Sequence, residues 1–272
     1  MTAAAAPNTP VAERPAAGAR LRHGMSDVLS IARRDLIRTA RMPEMLTFAV
    51  IMGVFFLLIF NYVYGGAIGA GAGVDYIQFL VPGVLVITAL TGSQQTGMGL
   101  AVDLSEGVVD RFRSLPMSQG AVIAGRTVAD TARNVAGLLL VVALGIVLGF
   151  GFSTLSGALL AMLLVVGLGY AFSWLNGAIA ARVRNVEMVS MLSMFWLFPL
   201  MLASSAFVPT GQMPDWLRWF ADYQPVSVVS DAARALSVGA PAQGPVLGSV
   251  AWIVGITAVS AALALRAYRR PG

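Results

Sequence analysis

The sequence predicts an all-α integral membrane protein, and three observations carry that expectation. Of 272 residues, 57% are hydrophobic, and the mean hydropathy is +0.78. Only 11% are charged, against about a quarter in soluble domains. The apolar residues also gather into six runs, each near the ~20 residues a helix needs to cross a bilayer. These runs are 45–64, 76–101, 131–150, 156–181, 187–208 and 246–265. The third and fourth are separated only by a short "GFSTLS" turn.

Residues 1–25 are rich in Ala, Pro and Arg and lack an apolar core, so they are expected to form a disordered tail. No apolar stretch of roughly 7–15 residues follows the early charges, so the tail is not expected to be a signal peptide. The first apolar span is expected to act as an uncleaved anchor. Residues 26–42 follow with Ser26 or Asp27 as a helix cap and Pro43 as a stop. Leu29, Ala32, Leu36 and Ala40 fall on one stripe, with Arg33, Arg34, Arg38 and Arg41 largely off it. This pattern suits an amphipathic helix on the headgroup surface. It also suits an ordinary juxtamembrane basic cluster, and both readings place it on the cytoplasmic side.

Arginine placement orients the spans. One side carries seven arginines before the first span, then Arg111, Arg113, Arg126 and Arg133, then Arg182 and Arg184, then Arg266, Arg269 and Arg270. The other side carries Arg218 and Arg234 alone. Six spans with this bias put both termini in the cytoplasm. The net charge of +5 is thereby a matter of membrane side, and does not imply nucleic acid.

Composition excludes several chemistries. There is no cysteine and one histidine, His23 in the tail, so thiolate chemistry, His-cluster metal sites and Ser-His-Asp catalysis are not expected within the spans. All 18 basic residues are arginine, so no Walker A lysine is available. Arginine in place of lysine, with heavy Ala, Gly and Val usage, points to a high-GC bacterial genome. The spans also lack a deep Asp, Glu or His of the kind ion-coupled transporters use. Any energy for transport therefore has to come from another chain.

Four residues are candidates to face a substrate pathway: Gln94 and Gln95 in the second span, and Trp174 and Asn176 in the fourth. The glutamines are costly in lipid unless they meet a neighbouring helix or a wet path, and both readings stay open. Gly145 and Gly149 form a weak GxxxG in the third span.

The segment 103–120, "DLSEGVVDRFRSLPMSQG", concentrates five charges in a chain that otherwise avoids them. Val108, Val109, Phe112 and Leu115 occupy one side of a short helix, with Glu106, Asp110, Arg111 and Arg113 over much of the rest, and Pro116 ends it. It is too short to span. It suits docking into a partner's groove, where the charges set register, or lying on the bilayer surface. The segment 207–241 is expected outside. Pro209, Pro214 and Pro225 divide it, and Trp216, Trp219, Phe220 and Tyr223 recur at helical spacing. Such aromatics favour the interface, and two short helices are expected near 214–223 and 226–237.

These two segments together resemble ABC type-2 transporter permeases. The inner pattern is "EGVVDRFRSLP" followed by "AGRTVAD", and the outer one is "FVPTGQMPDWLRWFADYQPVSVVSDAARAL". The outer pattern departs mildly, with Gln224 where the family commonly has Asn. "LVPGVLVITAL" and "EGVVDRFRSLP" look closest to the daunorubicin-resistance membrane subunit type of actinobacteria. The resemblance covers roughly residues 26–270. It implies that residues 43–270 are a six-span transmembrane domain in a bacterial cell membrane and that 26–42 is an interface helix. It implies that Glu106, Val108, Asp110, Arg111, Phe112, Arg113, Leu115 and Pro116 form a coupling helix. The 207–241 segment, with Pro209, Pro214, Trp216, Trp219, Pro225 and Arg234, would be re-entrant. ATP and Mg would be bound by a separate ABC ATPase subunit, two copies of which would join a homodimer of this chain; the chain itself would hold no cofactor or metal and would be no enzyme.

Two function classes follow. One is the permease subunit of an ATP-driven exporter for a hydrophobic or amphipathic compound, such as a drug, natural product or lipid-linked molecule. The other is a non-transporting membrane scaffold or assembly factor that recruits a cytoplasmic partner.

Overall fold

Residues 76–102 contain no charged side chain, and in the computed structural model they form most of one long helix. A backbone in lipid satisfies its polar groups internally, and helix is the local way to do so. The structure describes residues 43–65, 75–106, 119–183 and 185–269. Every regular element among them is helical: α1 (Pro43–Ile59), continued by a π-helical turn (Phe60–Tyr64), then α2 (Tyr76–Ser105), α3 (Gln119–Val147), α4 (Leu155–Val183) and α5 (Val186–Leu202). A 3-10 turn (Thr210–Gln212) precedes α6 (Asp215–Tyr223), α7 (Pro225–Val238) and α8 (Gln243–Arg269). The tail 1–25, the helix expected at 26–42 and residues 107–118 lie outside the described residues.

Helix α2 is the hub. It packs against α1, α3, α4, α5 and α7, and α4 packs in turn against α8. In its most apolar stretch 78% of residues are buried, against 11% for α8, so α2 is the core and α8 a wall. Leu80, Val81, Val84, Val86 and Leu90 of α2 meet Leu138 and Val141 of α3 and Val165 and Leu168 of α4 in one continuous apolar cluster. Glycines let the backbones approach. Gly97 lies against Asn176 and its carbonyl, and Gly169 against Ala89.

Four stretches are long and apolar enough to cross a membrane: Tyr76–Ser105, Asp130–Val147, Leu155–Val183 and Gln243–Ala264. The first and fifth expected spans appear as shorter apolar helices, Ile51–Val63 and Val186–Leu202. Composition and helix length together make the chain an integral membrane protein. The fifth span differs from expectation. Its apolar run predicts helix to residue 208, yet α5 ends at Leu202, and Ala203–Pro209 is a non-helical link. The link is stable because its backbone groups are met by side chains from elsewhere, as shown below. Such irregular backbone is tolerated in membranes where protein covers it.

The GxxxG reading of Gly145 and Gly149 is also corrected. Gly149 lies beyond α3 with φ 104°, a left-handed conformation that glycine takes at little cost. The Phe150 N–H donates to Gly145 O at 2.8 Å and the Gly149 N–H to Ile146 O at 3.1 Å. This is a Schellman stop, so Gly149 ends the helix, while Gly145 packs on Val81.

Candidate functional site

Three polar features interrupt the apolar bundle. The first joins α2, α4 and α5. Asn176 is fully buried. Its Nδ2 donates to Ser93 Oγ at 3.2 Å, and its Oδ1 accepts from Ser193 Oγ at 2.8 Å. One helical turn away on α2, Thr96 Oγ1 donates to Ser173 Oγ at 3.3 Å. A buried amide needs such partners, and here every one comes from another helix. Asn134 of α3 makes a similar junction: its Nδ2 donates to Ala89 O at 2.8 Å while its amide rests against Gly92. Asn134 gives no sign of this role in the sequence, because it sits near the polar end of its apolar run.

The second feature holds the other pathway candidates. Gln94 and Gln95 are half-buried on α2. Gln94 Nε2 reaches Met194 Sδ of α5 at 3.9 Å. Met194 lines an open groove of ≈ 570 Å³ with Ser190, Met191, Phe195, Phe198 and Pro199. Thioethers and phenyl rings make that wall polarisable and adaptable. Trp174 is buried instead. It packs edge-on to Tyr170, ring centroids 6.4 Å apart, and its indole N–H has no hydrogen-bond partner among the described residues. The structure therefore separates the four candidates: Gln94 reaches the α5 groove through Met194, Gln95 is half-buried on α2, and Trp174 and Asn176 lie inside the bundle.

The third feature is at the end of the bundle that carries α6 and α7. Pro225 occupies the first turn of α7, Gln224 caps it, and Gly239 ends it with φ 72°. Arg234 projects from α7 with its side chain 12% exposed. Its Nε donates to Phe79 O at 2.8 Å and its guanidinium lies 3.7 Å from the centre of the Phe79 ring. Its two NH groups donate to Ser205 Oγ, Asp231 Oδ1, Ser205 O and Ala206 O. Burial pushes the Arg234 pKa down to about 10 and the Asp231 carboxylate opposes the shift, so the group stays cationic at neutral pH. Gln224, buried at the start of α7, donates from Nε2 to Leu200 O at 2.9 Å and Ala203 O at 3.0 Å. The Ser205 N–H donates to Ser227 Oγ at 2.9 Å. The carbonyls left open by the end of α5 are thus taken up by α7 and by Gln224. Gln224 is longer than the Asn expected in its place, and it reaches two carbonyls while still capping α7.

Pro209 and Pro214 precede the 3-10 turn and α6 respectively. Trp216 and Trp219 stand exposed on α6, and Trp252 Nε1 of α8 donates to Tyr223 O at 3.0 Å at its end. At the opposite end of the bundle, Glu106 is exposed and closes α2 with its N–H on Val102 O at 3.0 Å. Asp103 and Asp130 are buried there, and Arg133 pairs with Asp130 at 2.7 Å. The other coupling candidates, Val108, Asp110, Arg111, Phe112, Arg113, Leu115 and Pro116, lie outside the described residues.

Known proteins share this sequence pattern along most of the chain. Residues 26–237 match the family model described as ABC-2 type transporter. The chain is 35% identical over 261 residues to a daunorubicin resistance ABC transporter permease protein of Streptomyces coeruleorubidus, covering 94% of this chain and 89% of the relative. It is 27% identical over 253 residues to a protein of Mycobacterium tuberculosis named "Probable doxorubicin resistance ABC transporter permease protein", covering 90% and 89%. The family match runs from before α1 almost to the end of α7, including Arg234 and the α2–α3 connection, and on it the chain belongs to the ABC-2 type transporter family.

Proposed function

We propose that this chain is the membrane-spanning permease subunit of an ATP-driven exporter, and that its cargo is a hydrophobic or amphipathic compound. The observation that carries the reading is the near full-length similarity to a daunorubicin resistance permease. In this reading α1 to α5 and α8 are six spans, with both termini in the cytoplasm of a bacterial cell. The arginine asymmetry supports that orientation. Residues 103–120 are the coupling segment, docking into a separate ABC ATPase that binds ATP and Mg. Two such ATPases serve a homodimer of this chain. The α6–α7 segment is re-entrant at the outer face.

Cargo would pass along the Gln94 and Gln95 side of α2, beside the Met and Phe wall of α5. A few amides among apolar and aromatic groups suit an amphipathic solute. Asn176 and Trp174 would shape that route from behind.

The test is uptake of fluorescent daunorubicin into inside-out vesicles that carry this chain with its ABC ATPase. ATP-dependent accumulation is expected, and replacing Asp110, Arg111 and Arg113 together is expected to abolish it while the chain stays folded. ATP-independent uptake, or unchanged uptake in the triple variant, would sink the coupling assignment. A chain that binds a cytoplasmic partner yet moves no amphipathic cargo would point to the scaffold reading.

A further inference from the structure

Five separate stretches of chain meet at the Arg234 end. Arg234 joins α7 to the first two turns of α2, through Phe79, and to the link, through Ser205 and Ala206. Tyr76 Oη donates to Phe207 O at 3.0 Å, a second tie from α2 to the link. The Phe207 ring stacks on Phe60 of the π-helical turn, centroids 4.4 Å apart, and lies 5.5 Å from Phe56 of α1. The turn between α3 and α4 is held from two sides. The Gln78 amide, in its paired orientation, meets the Gly151 N–H and carbonyl at 3.0 and 3.1 Å. The Ser153 N–H donates to Ser237 O of α7 at 2.8 Å.

Proline marks the edge of this set on two helices. Pro82 in α2 and Pro199 in α5 lie inside their helices. Each lacks the N–H that would bond four residues back, so each helix has a weak point just there. The ties on the Arg234 side are dense, and many are charge-assisted and screened from water, where such bonds are strong and do not exchange readily.

We propose that these stretches form one cooperative cap, pinned by Arg234 and bounded on α2 by Pro82 and on α5 by Pro199. The cap comprises the end of α1, residues 76–81, the α3–α4 turn, the link with the last turn of α5, and α7. Any rearrangement at this end of the bundle then moves it as a unit, and Arg234 is a positioning residue that makes it one. The proposal does not depend on what the chain transports.

The test is hydrogen–deuterium exchange of the full-length chain in lipid nanodiscs, for the wild type and for Arg234→Met. The variant is expected to raise exchange together in 76–81, 149–154, 200–208 and 224–238, by about a hundredfold or more and by a common factor, as a cooperative unit does. Residues 86–100 of α2 and 186–197 of α5 are expected to keep their wild-type exchange. A rise confined to 203–208 and 230–238, with 149–154 unchanged, would overturn the proposal; so would a rise that runs past Pro82 into 86–100. Arg234→Lys keeps the charge but not the fork that reaches several acceptors at once. It is expected to behave like Arg234→Met, and full protection in it would overturn the pinning role. If Arg234→Met does not fold, Tyr76→Phe removes one hydroxyl only. It is expected to give the same pattern at smaller amplitude, and a purely local change in it would count against the cap.

Discussion

Gly83 of α2 lies directly under the carbonyl of Ala206, so that a Cβ at position 83 would overlap the Ala206 carbonyl oxygen. The obstacle is backbone, and that backbone is pinned by Arg234, so it cannot move aside cheaply. Gly83→Ala is expected to destabilise the chain by about 1–3 kcal/mol or more, the range for overpacking a filled core. Gly255 of α8 faces open space where a Cβ would stand. Gly255→Ala is expected to be neutral or to stabilise by up to ~1 kcal/mol through helix propensity. Thermal unfolding of both variants in one detergent checks the pair; equal melting points would contradict the close approach.

Arg234 and Asp231 form an ion pair with unequal stakes. The Arg234 side chain is 12% exposed and that of Asp231 is 47% exposed. Removing the cation takes a donor from the Phe79 carbonyl and from two link carbonyls, and leaves the Asp231 carboxylate with the Ser205 hydroxyl but no cation. Arg234→Met is expected to cost about 3–5 kcal/mol, as loss of one buried partner does. Asp231→Asn is expected to cost less, since water reaches the carboxylate and the other four Arg234 acceptors remain. A larger loss for Asp231→Asn in denaturation would contradict the placement.

Asn176 ties three helices together through two serine hydroxyls. Interhelical hydrogen bonds of this kind in membranes average ~0.6 kcal/mol, with maxima near ~1.7 kcal/mol. Asn176→Leu is expected to cost about 1–2 kcal/mol, because it removes two such bonds at once. In a double-mutant cycle, Ser193→Ala is expected to cost almost nothing once Asn176 is leucine. Additive losses would show that the two do not interact.

Helix α6 presents Trp216, Trp219, Phe220 and Tyr223 as one exposed stripe. Amphipathic aromatics in such a stripe belong at the membrane interface. Brominated lipids are expected to quench the emission of Trp216 and Trp219 most strongly when the bromines sit near the headgroups. Trp216→Ala with Trp219→Ala is expected to remove much of that quenching, with stability changed by no more than about 0.5 kcal/mol per site, as for other exposed positions. Quenching by deep bromines alone would place α6 at another depth.

The long helices are legible in the sequence because their signal is composition: lipid allows little but helix for an uncharged run. The positions of α6 and α7 are legible because prolines and amphipathic aromatics punctuate the chain between Pro209 and Pro225. The end of α5 is not. Ala203–Val208 holds no Pro, Gly or charge that would mark a stop. What stops the helix there is a set of partners, Gln224, Ser227 and Arg234, that lie some 20–30 residues on in sequence. The family pattern singles out Arg234, but its reach back to Phe79 is a tertiary fact that no local pattern encodes. Asn134 and Gln224 carry hydrogen bonds that spacing alone does not assign, because an amide in an apolar run gives no sign of its partner. Gly149 misleads because a GxxxG spacing reads the same whether its second glycine packs a helix or ends one.

The measurement that bears most directly on the permease assignment is affinity purification of this chain from gently solubilised membranes, with the co-purifying proteins identified and assayed for ATPase activity. An ABC ATPase in near-stoichiometric amount is expected, and it is expected to be lost when Val108, Phe112 and Leu115 are replaced by polar residues. An intact, folded chain that brings down no ATPase, or one whose ATPase stays bound when that apolar face is made polar, would contradict the assignment of a permease coupled through residues 103–120.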